Sequence, residues 1–140
     1  MKMIPVLMTL LLAAGCAGSS NQANADPLAG TAWSLARLAK AAVPAEVTVT
    51  ARFDEGRIGG KAGCNQYFAS YEVKGDSLRI GPAGATKMMC PEPQMAVEDA
   101  FLAALQDVRT FKLVDGRLQL LRSGGDVLEF AAAAFTTPKE

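Results

Sequence analysis

The chain contains no histidine among its 140 residues. Histidine is the commonest general base in enzymes and a usual zinc ligand. Its absence therefore excludes Ser-His-Asp triads, Cys-His nucleophile pairs and the ordinary zinc sites. The sequence predicts a non-catalytic protein without a cofactor, and it leaves a carboxylate-dependent enzyme as the alternative.

Net charge and long apolar runs are also lacking. Fourteen basic and fourteen acidic residues balance to a formal net charge of zero, which gives no electrostatic footprint for nucleic acid. The apolar stretch from Ile4 to Ala14 is shorter than the roughly 20 residues that a helix needs to cross a bilayer. We therefore expect no nucleic-acid partner and no membrane-spanning helix.

Cysteine is scarce, and the first of the three cysteines follows an informative segment. Residues 1–16 read MKMIPVLMTLLLAAGC, with an early basic residue, a short apolar run and small residues before Cys16. This order is typical of a secretory signal peptide. A cysteine at the cleavage site resembles the lipobox of bacterial lipoproteins, although Ala13 stands where leucine is commonest. The sequence thus predicts a lipoprotein signal peptide over residues 1–15 and a lipid on Cys16.

The remaining chain divides into a linker, a domain and a tail. Residues 16–26 are small and polar and are predicted to be a lipidated flexible linker, residues 27–132 a folded domain, and residues 133–140 a tail. Ala17 differs from the aspartate that retains enteric lipoproteins at the inner membrane. We therefore expect the protein to be anchored by lipid to the outer membrane and to face the periplasm, with the inner or plasma membrane as the alternative. We also expect a monomer that contacts an unidentified envelope protein.

If Cys16 carries lipid, Cys64 and Cys90 remain as an even pair in an exported protein. Such a pair is typical of a structural disulfide. A redox-active pair is the alternative, although neither a Cys-x-x-Cys spacing nor a neighbouring basic residue supports it. Copper(I) binding is a further alternative, because soft sulfur ligands cluster at Met88, Met89, Cys90 and Met95. We expect instead that the methionines fill irregular gaps beneath the helix.

Most of the domain shows the period of two that is typical of half-buried strands. Apolar residues alternate with polar ones over residues 47–53 and 67–73, where Phe68 falls among the polar positions. Turn signals separate the strand candidates, and the strongest is Asp115-Gly116. These patterns predict an antiparallel meander.

One segment instead shows helical spacing, with apolar residues at Val97, Phe101, Leu105 and Val108. Three nearby acidic residues are predicted to form a solvated helix face: Glu92, Glu98 and Asp99. The fold class is therefore α+β, a compact antiparallel β-meander sheet, curved and partly barrel-like, with one packed helix.

Two motifs carry a family resemblance: GGKAGCNQYFASY at residues 59–71 and TKMMC at residues 86–90. Together with the segment that starts at Trp33, the helix and the closing hairpins, they resemble the META domain family, also called the HslJ-like family. The matching positions are Gly63, Cys64, Asn65, Tyr67 and Tyr71 in the first motif, Thr86, Met88 and Cys90 in the second, and Glu98, Phe101 and Leu102 in the helix. Ala69 departs from the usual glycine.

The resemblance implies a compact antiparallel sheet with one helix and a disulfide between the two motif cysteines. It supplies no mechanism, because most members are envelope proteins of undetermined role, some linked to heat response, antibiotic tolerance or secretion. We expect Asn65 and Thr86 to satisfy backbone groups in loops, and Tyr67 and Tyr71 to pack in the core.

The predicted function is that of a non-catalytic envelope lipoprotein that acts in envelope maintenance or stress tolerance through protein contacts. An alternative function is that of a carrier for a small hydrophobic ligand. A curved sheet closed by a helix can enclose a pocket of about 300 Å³ or more for such a ligand.

Overall fold

The structure is a computed structural model that describes residues 26–133. Its elements, in chain order, are β1 (Ala32–Leu38), β2 (Ala41–Ala42), β3 (Thr50–Asp54), β4 (Arg57–Lys61), β5 (Gln66–Lys74), β6 (Ser77–Ile80), β7 (Gly84–Ala85), α1 (Gln94–Gln106), β8 (Val108–Val114), β9 (Arg117–Arg122) and β10 (Val127–Ala132). The predicted combination of antiparallel strands and one helix is confirmed for these residues.

Eight of the strands close into an antiparallel barrel. Their order is β1-β3-β4-β5-β6-β8-β9-β10, and β10 pairs with β1 to complete the ring. Trp33 pairs with Ala132 and Leu35 with Phe130 at this closure. The two shortest strands, β2 and β7, add to β1 and β5 on the side. The predicted partly barrel-like sheet is therefore a complete barrel, which leaves no open sheet edge in the ring.

The turns between the strands follow the sequence signals. Glu55-Gly56 and Asp115-Gly116 both have positive φ at the two turn residues, as a type I′ turn requires. Each turn joins strands that pair directly next to it, because Asp54 pairs with Arg57 and Val114 pairs with Arg117. Local turn chemistry thus fixes the register of these two hairpins.

The antiparallel order gives the barrel two distinct ends. One end, here called the turn end, carries the turns at residues 55–56, 75–76 and 115–116 and the entering segment 26–31. The other, the helix end, carries the loop 62–65 and α1, which leads into β8. Leu28 is fully buried at the turn end, and Phe101 and Leu105 are fully buried beneath α1. Each end of the barrel is therefore covered by a buried apolar side chain.

Inward-facing side chains fill the barrel. Aromatic rings meet edge to face, with centroid distances of 5.0 Å for Phe53 and Tyr71, 5.2 Å for Tyr67 and Phe101, and 6.4 Å for Phe101 and Phe130. The space between sheet and helix is thus occupied by side chains. The alternative prediction of a ligand pocket in that space is not supported by the structure.

The structure corrects the prediction of which helix residues face solvent. Phe101 and Leu105 are buried as expected, but Val97 is only partly buried and Val108 is the first residue of β8. Glu98, predicted to be solvated, is buried with 4% exposure. It precedes Phe101 by three positions and Leu105 by seven, so it lies on the same face of the helix. The other two acidic residues, Glu92 and Asp99, are exposed as predicted.

Among residues 26–133, the structure contains no helix with the length and apolar character needed to cross a membrane. The predicted signal peptide, the lipidation of Cys16, most of the linker 16–26 and all of the tail except Ala133 lie outside the described residues. Those assignments stay predictions.

Candidate functional site

Cys64 and Cys90 form a disulfide at the helix end of the barrel. The S–S distance is 2.06 Å and the Cα–Cα distance is 5.8 Å, across a sequence separation of 26 residues. Cys64 lies in the loop after β4, and Cys90 lies just before α1. The predicted pairing is confirmed, and the bond ties the approach to the helix to the barrel. With both sulfurs bonded, Cys90 offers no thiolate to copper(I).

Asn65, beside the disulfide, is buried and binds the backbone of the segment that contains Met88. Its Oδ1 accepts a hydrogen bond from the Met88 N–H at 2.6 Å, and its Nδ2 donates to the Met88 carbonyl at 3.1 Å. Thr86 donates its hydroxyl to Asn65 Oδ1 at 3.0 Å and accepts from the Gln66 N–H at 3.1 Å. The two motif residues therefore hold residues 86–88 against β5 by satisfying backbone groups.

Glu98 completes this network from the helix. Its Oε1 accepts from the Asn65 N–H at 2.6 Å, and its Oε2 accepts from Asn65 Nδ2 at 2.7 Å. Within the described part of the chain, no lysine or arginine forms a salt bridge with it. The carboxylate thus depends on hydrogen bonds alone for the solvation that it loses by burial. The sequence signal that could have revealed this role is its position three residues before Phe101.

Gly63 brings the loop and the helix into close approach. Its φ is +121°, and a Cβ built on it would lie 2.9 Å from the Gln94 carbonyl oxygen and 3.6 Å from Glu98 Cβ. Any other residue would collide with backbone here, so glycine lets the Asn65–Glu98 contact form.

The two tyrosines face the core and use their hydroxyls as structural donors. Tyr67 donates to the Thr50 carbonyl at 2.8 Å, and burial raises the pKa of its phenol. Tyr71 donates to Asp26 at the turn end, and burial together with this hydrogen bond raises the pKa of Tyr71 to about 12. Both hydroxyls therefore stay protonated and link strand β5 to its surroundings at neutral pH.

Met88 and Met89 do not fill gaps beneath the helix, whereas Met95 on α1 is half-buried. Met88 is 56% exposed and Met89 is 87% exposed. The backbone of Met88 is held by Asn65 while its side chain points away, which explains how the position can be fixed without being part of the core. Across residues 26–133, no cluster of three or more His, Cys, Asp or Glu side chains is placed to hold a metal ion.

A groove of about 590 Å³ lies on the outer wall of the barrel and is here called the outer groove. It lies across β1, β3, β4 and β5, and its lining residues include Ala32, Arg52, Arg57, Gly59, Phe68 and Ala133. Phe68 is 65% exposed. The alternating sequence pattern places Phe68 on the polar side of β5, and it predicts no role for this residue. An aromatic residue among the solvent-facing positions of a strand was the signal for this surface.

Comparison with known families and structures identifies the domain. The family model for the META domain matches residues 26–135. A search of curated proteins finds no significant match. An NMR structure of a protein from Burkholderia xenovorans is 29% identical and has a TM-score of 0.66, covering 76% of this chain and 84% of that one.

Two more distant structures share the fold. One, solved by NMR, is 19% identical with a TM-score of 0.64, covering 79% of this chain and 95% of that one. The other is a crystal structure of a DUF4847 family protein from Bacteroides vulgatus. It is 15% identical with a TM-score of 0.54, covering 75% of this chain and 94% of that one. Because the family model spans most of the sequence, the chain belongs to the META domain family.

Proposed function

We propose that the protein is a non-catalytic lipoprotein, anchored to the outer membrane, that acts by contact with another envelope protein. The observation that carries this proposal is the filled barrel. Side chains occupy the interior and cover both ends, so the surfaces left for recognition lie on the outside. The lipobox-like sequence before Cys16 supports the anchor.

The chain direction gives the proposed anchor a geometric consequence. Residue 26 enters the barrel at the turn end, so a lipid on Cys16 would tether this end toward the bilayer. A flexible linker of about ten residues has a root-mean-square reach of roughly 15–20 Å. The helix end, with the disulfide, would then point away from the membrane. The outer groove would face sideways, where a neighbouring envelope protein can reach it.

The polar groups at the helix end support a structural role over acid–base chemistry. Both oxygens of Glu98 accept hydrogen bonds from Asn65, and both polar atoms of the Asn65 amide are bonded. A general base needs an accessible lone pair within reach of a substrate proton. This buried carboxylate uses its hydrogen-bonding capacity within the fold, which supports the non-catalytic proposal.

The anchor is tested by fractionating cells that express the full chain or its Cys16→Ser variant. We expect the wild-type protein in the outer-membrane fraction and the variant outside it. An unchanged membrane fraction for the Cys16→Ser variant would contradict lipid anchoring through this residue. Ser20→Ala, close to Cys16 in the predicted linker, is the matched control, because it leaves all three cysteines in place.

The contact function is tested by photo-crosslinking in living cells. A crosslinking amino acid is placed at Phe68 in the outer groove, at exposed Met89 near the helix end, or at exposed Lys112 on β8. We expect one reproducible envelope protein from at least one position, and its loss in the Cys16→Ser background. Absence of a reproducible partner from all three positions would argue against contact as the mode of action.

The proposed role in envelope maintenance or stress tolerance is tested with a deletion strain. We expect it to be more sensitive to heat and detergent, with rescue by the wild-type chain but not by the Cys16→Ser variant. A strain without any such sensitivity would contradict this role.

A carrier of small hydrophobic molecules is the second candidate function, and the outer groove now favours it. The pocket predicted between sheet and helix is filled, whereas the groove outside β3, β4 and β5 is open and lined mainly by apolar surface. Its volume lies within the range of about 300–1,000 Å³ that is typical of small-molecule sites.

A further inference from the structure

Four outward-facing residues form one row across the outer groove. The strand register pairs Phe68 on β5 with Gly59 on β4, Gly59 with Arg52 on β3, and Arg52 with Ala32 on β1. Neighbouring strands lie about 4.8 Å apart, so Phe68 and Arg52 flank Gly59 from positions about 10 Å apart. Because glycine has no side chain, the row has an open position at Gly59, between the aromatic residue Phe68 and the arginine Arg52.

The gap at Gly59 is built into the backbone. A Cβ at this position would lie 3.1 Å from the Tyr67 carbonyl oxygen, which is tighter than ordinary contacts. Ala32 and Ala133 continue the shallow floor on the β1 side. The floor of the outer groove is therefore shallow because its residues have small side chains or none. At Gly59 a larger residue would crowd the Tyr67 carbonyl oxygen.

Phe68 has a rigid support on one side only. Across strand β7 it pairs with Gly84, where an added Cβ would lie 2.6 Å from two atoms of the Phe68 ring. The ring therefore packs directly on the Gly84 backbone. Part of the remaining surface of this 65% exposed side chain borders the outer groove. Because the ring is already held in place, it offers a stacking surface whose side chain loses little conformational entropy when a ligand binds.

Positive charge borders the same groove. Arg52 and Arg57 both line it, and within residues 26–133 neither forms a salt bridge. Asp54 is the single carboxylate along the lining, against these two guanidinium groups. A guanidinium group can stack on an aromatic plane and can bind a carboxylate through two parallel hydrogen bonds. The local charge balance favours an anionic ligand.

We propose that the outer groove binds a small planar aromatic anion. The aromatic ring of the ligand lies over Gly59 between the Phe68 ring and the Arg52 side chain, and its acidic group meets Arg52 or Arg57. Two stacked contacts of about 3.5–4 Å each fit within the roughly 10 Å that separates the backbone positions of Phe68 and Arg52. This inference specifies the ligand class of the second candidate function and is independent of the lipid anchor and the protein partner.

The test is titration of the full, disulfide-bonded chain with 2-naphthoate, followed by amide chemical shifts in two-dimensional NMR. Resolved amide signals distinguish binding at the groove from binding to the apolar N-terminal segment. We expect saturable shifts at Gly59, Phe68 and Arg52. Shifts that do not saturate, or that map outside the groove, would overturn the proposal.

Variants with matched controls test the two recognition elements. Phe68→Ser is expected to weaken binding about fivefold by removing the stacking surface. Arg52→Gln/Arg57→Gln is expected to weaken it about tenfold by removing the charged donors. Exposed Met89→Ser and Arg79→Gln, outside the groove, should leave the dissociation constant unchanged. Unchanged binding in both groove variants, with spectra that show a folded protein, would refute the assignment.

Two further probes test the chemical class of the ligand. Uncharged 2-naphthalenemethanol should bind about tenfold more weakly than 2-naphthoate if an arginine recognises the acid. Decanoate, which carries the acid on an acyl chain, should also bind more weakly because it cannot stack. Equal binding of the alcohol would overturn the anionic part of the proposal, and equal binding of decanoate would overturn the aromatic part. Neither result bears on membrane anchoring or on crosslinking to a protein partner.

Discussion

Glu98 and Asn65 are joined by two hydrogen bonds between the helix and the barrel. One carboxylate oxygen of Glu98 accepts from the backbone N–H of Asn65 at 2.6 Å, and the other accepts from its side-chain amide at 2.7 Å. Asn65 in turn holds both backbone polar groups of Met88. This chain of contacts lies next to the Cys64–Cys90 disulfide. A helix residue and a covalent bond thus fix the same loop.

Replacing Glu98 by alanine should destabilise the fold strongly. Two donors of Asn65 would lose a charged acceptor in a buried site, and we expect the free energy of unfolding to fall by about 3 kcal/mol. Urea unfolding monitored by the fluorescence of Trp33 measures the change. Asp99→Ala, at the adjacent exposed position, is the control and should change stability by less than about 0.5 kcal/mol. Equal effects of the two substitutions would contradict a structural role for Glu98.

Replacing Gly63 by alanine should also destabilise the protein, because its φ of +121° is unfavourable for alanine and the new Cβ would lie 2.9 Å from the Gln94 carbonyl oxygen. We expect a loss of about 2 kcal/mol or more in the free energy of unfolding. Gly124→Ala is the matched control, because an added Cβ there meets open space. Thermal unfolding of the two variants should therefore differ clearly, and similar melting temperatures would disprove the close approach.

Removing the disulfide should destabilise the unreduced protein. The chain-entropy model gives about 3–4 kcal/mol for closing a loop of this length, so Cys64→Ala/Cys90→Ala should lose about that amount. Urea unfolding with and without reductant measures the loss, and reductant should have no further effect on the double variant. Thiol titration of the denatured, unreduced wild type gives an independent check. Detection of the Cys64 and Cys90 thiols there would contradict the bond.

Alkaline pH should weaken the fold through the tyrosines. Because the pKa of Tyr71 rises from 10.0 in the unfolded chain to about 12 in the fold, its contribution is fully present below pH 10 and is lost as the pH rises through about 12. Burial also raises the pKa of Tyr67, so its effect has the same sign. Urea midpoints measured between about pH 8 and about pH 11 should fall.

The Tyr71→Phe variant separates the Tyr71 contribution from other alkaline effects. It loses the hydrogen bond to Asp26 and should be about 1 kcal/mol less stable near neutral pH. Its urea midpoint should then decline less steeply than that of the wild type as the pH rises. An equally steep decline in both proteins would show that Tyr71 does not report the alkaline transition.

Local sequence signals were sufficient where a few neighbouring residues decide the conformation. Asp115-Gly116 predicted a tight hairpin because both residues tolerate positive φ, and the structure has that hairpin. The alternation through Tyr67 and Tyr71 predicted which face of β5 is buried. For Glu98 the local signal was misleading, because charge suggested solvent whereas helical spacing placed it beside Phe101 on the buried face.

For residues 26–133, the sequence by itself determined the antiparallel strands, the helix and the family, because each depends on short-range periodicity or on recognisable motifs. It favoured the pairing of Cys64 with Cys90, which the structure confirmed. Only the tertiary structure decided that β10 returns to β1 and closes the barrel, since this pairing joins residues about 100 positions apart. The pairing of three successive strands aligned Phe68, Gly59 and Arg52 in one row. Phe68 marked this surface within one strand, but the groove beside it depends on residues that only the pairing of several strands brings together.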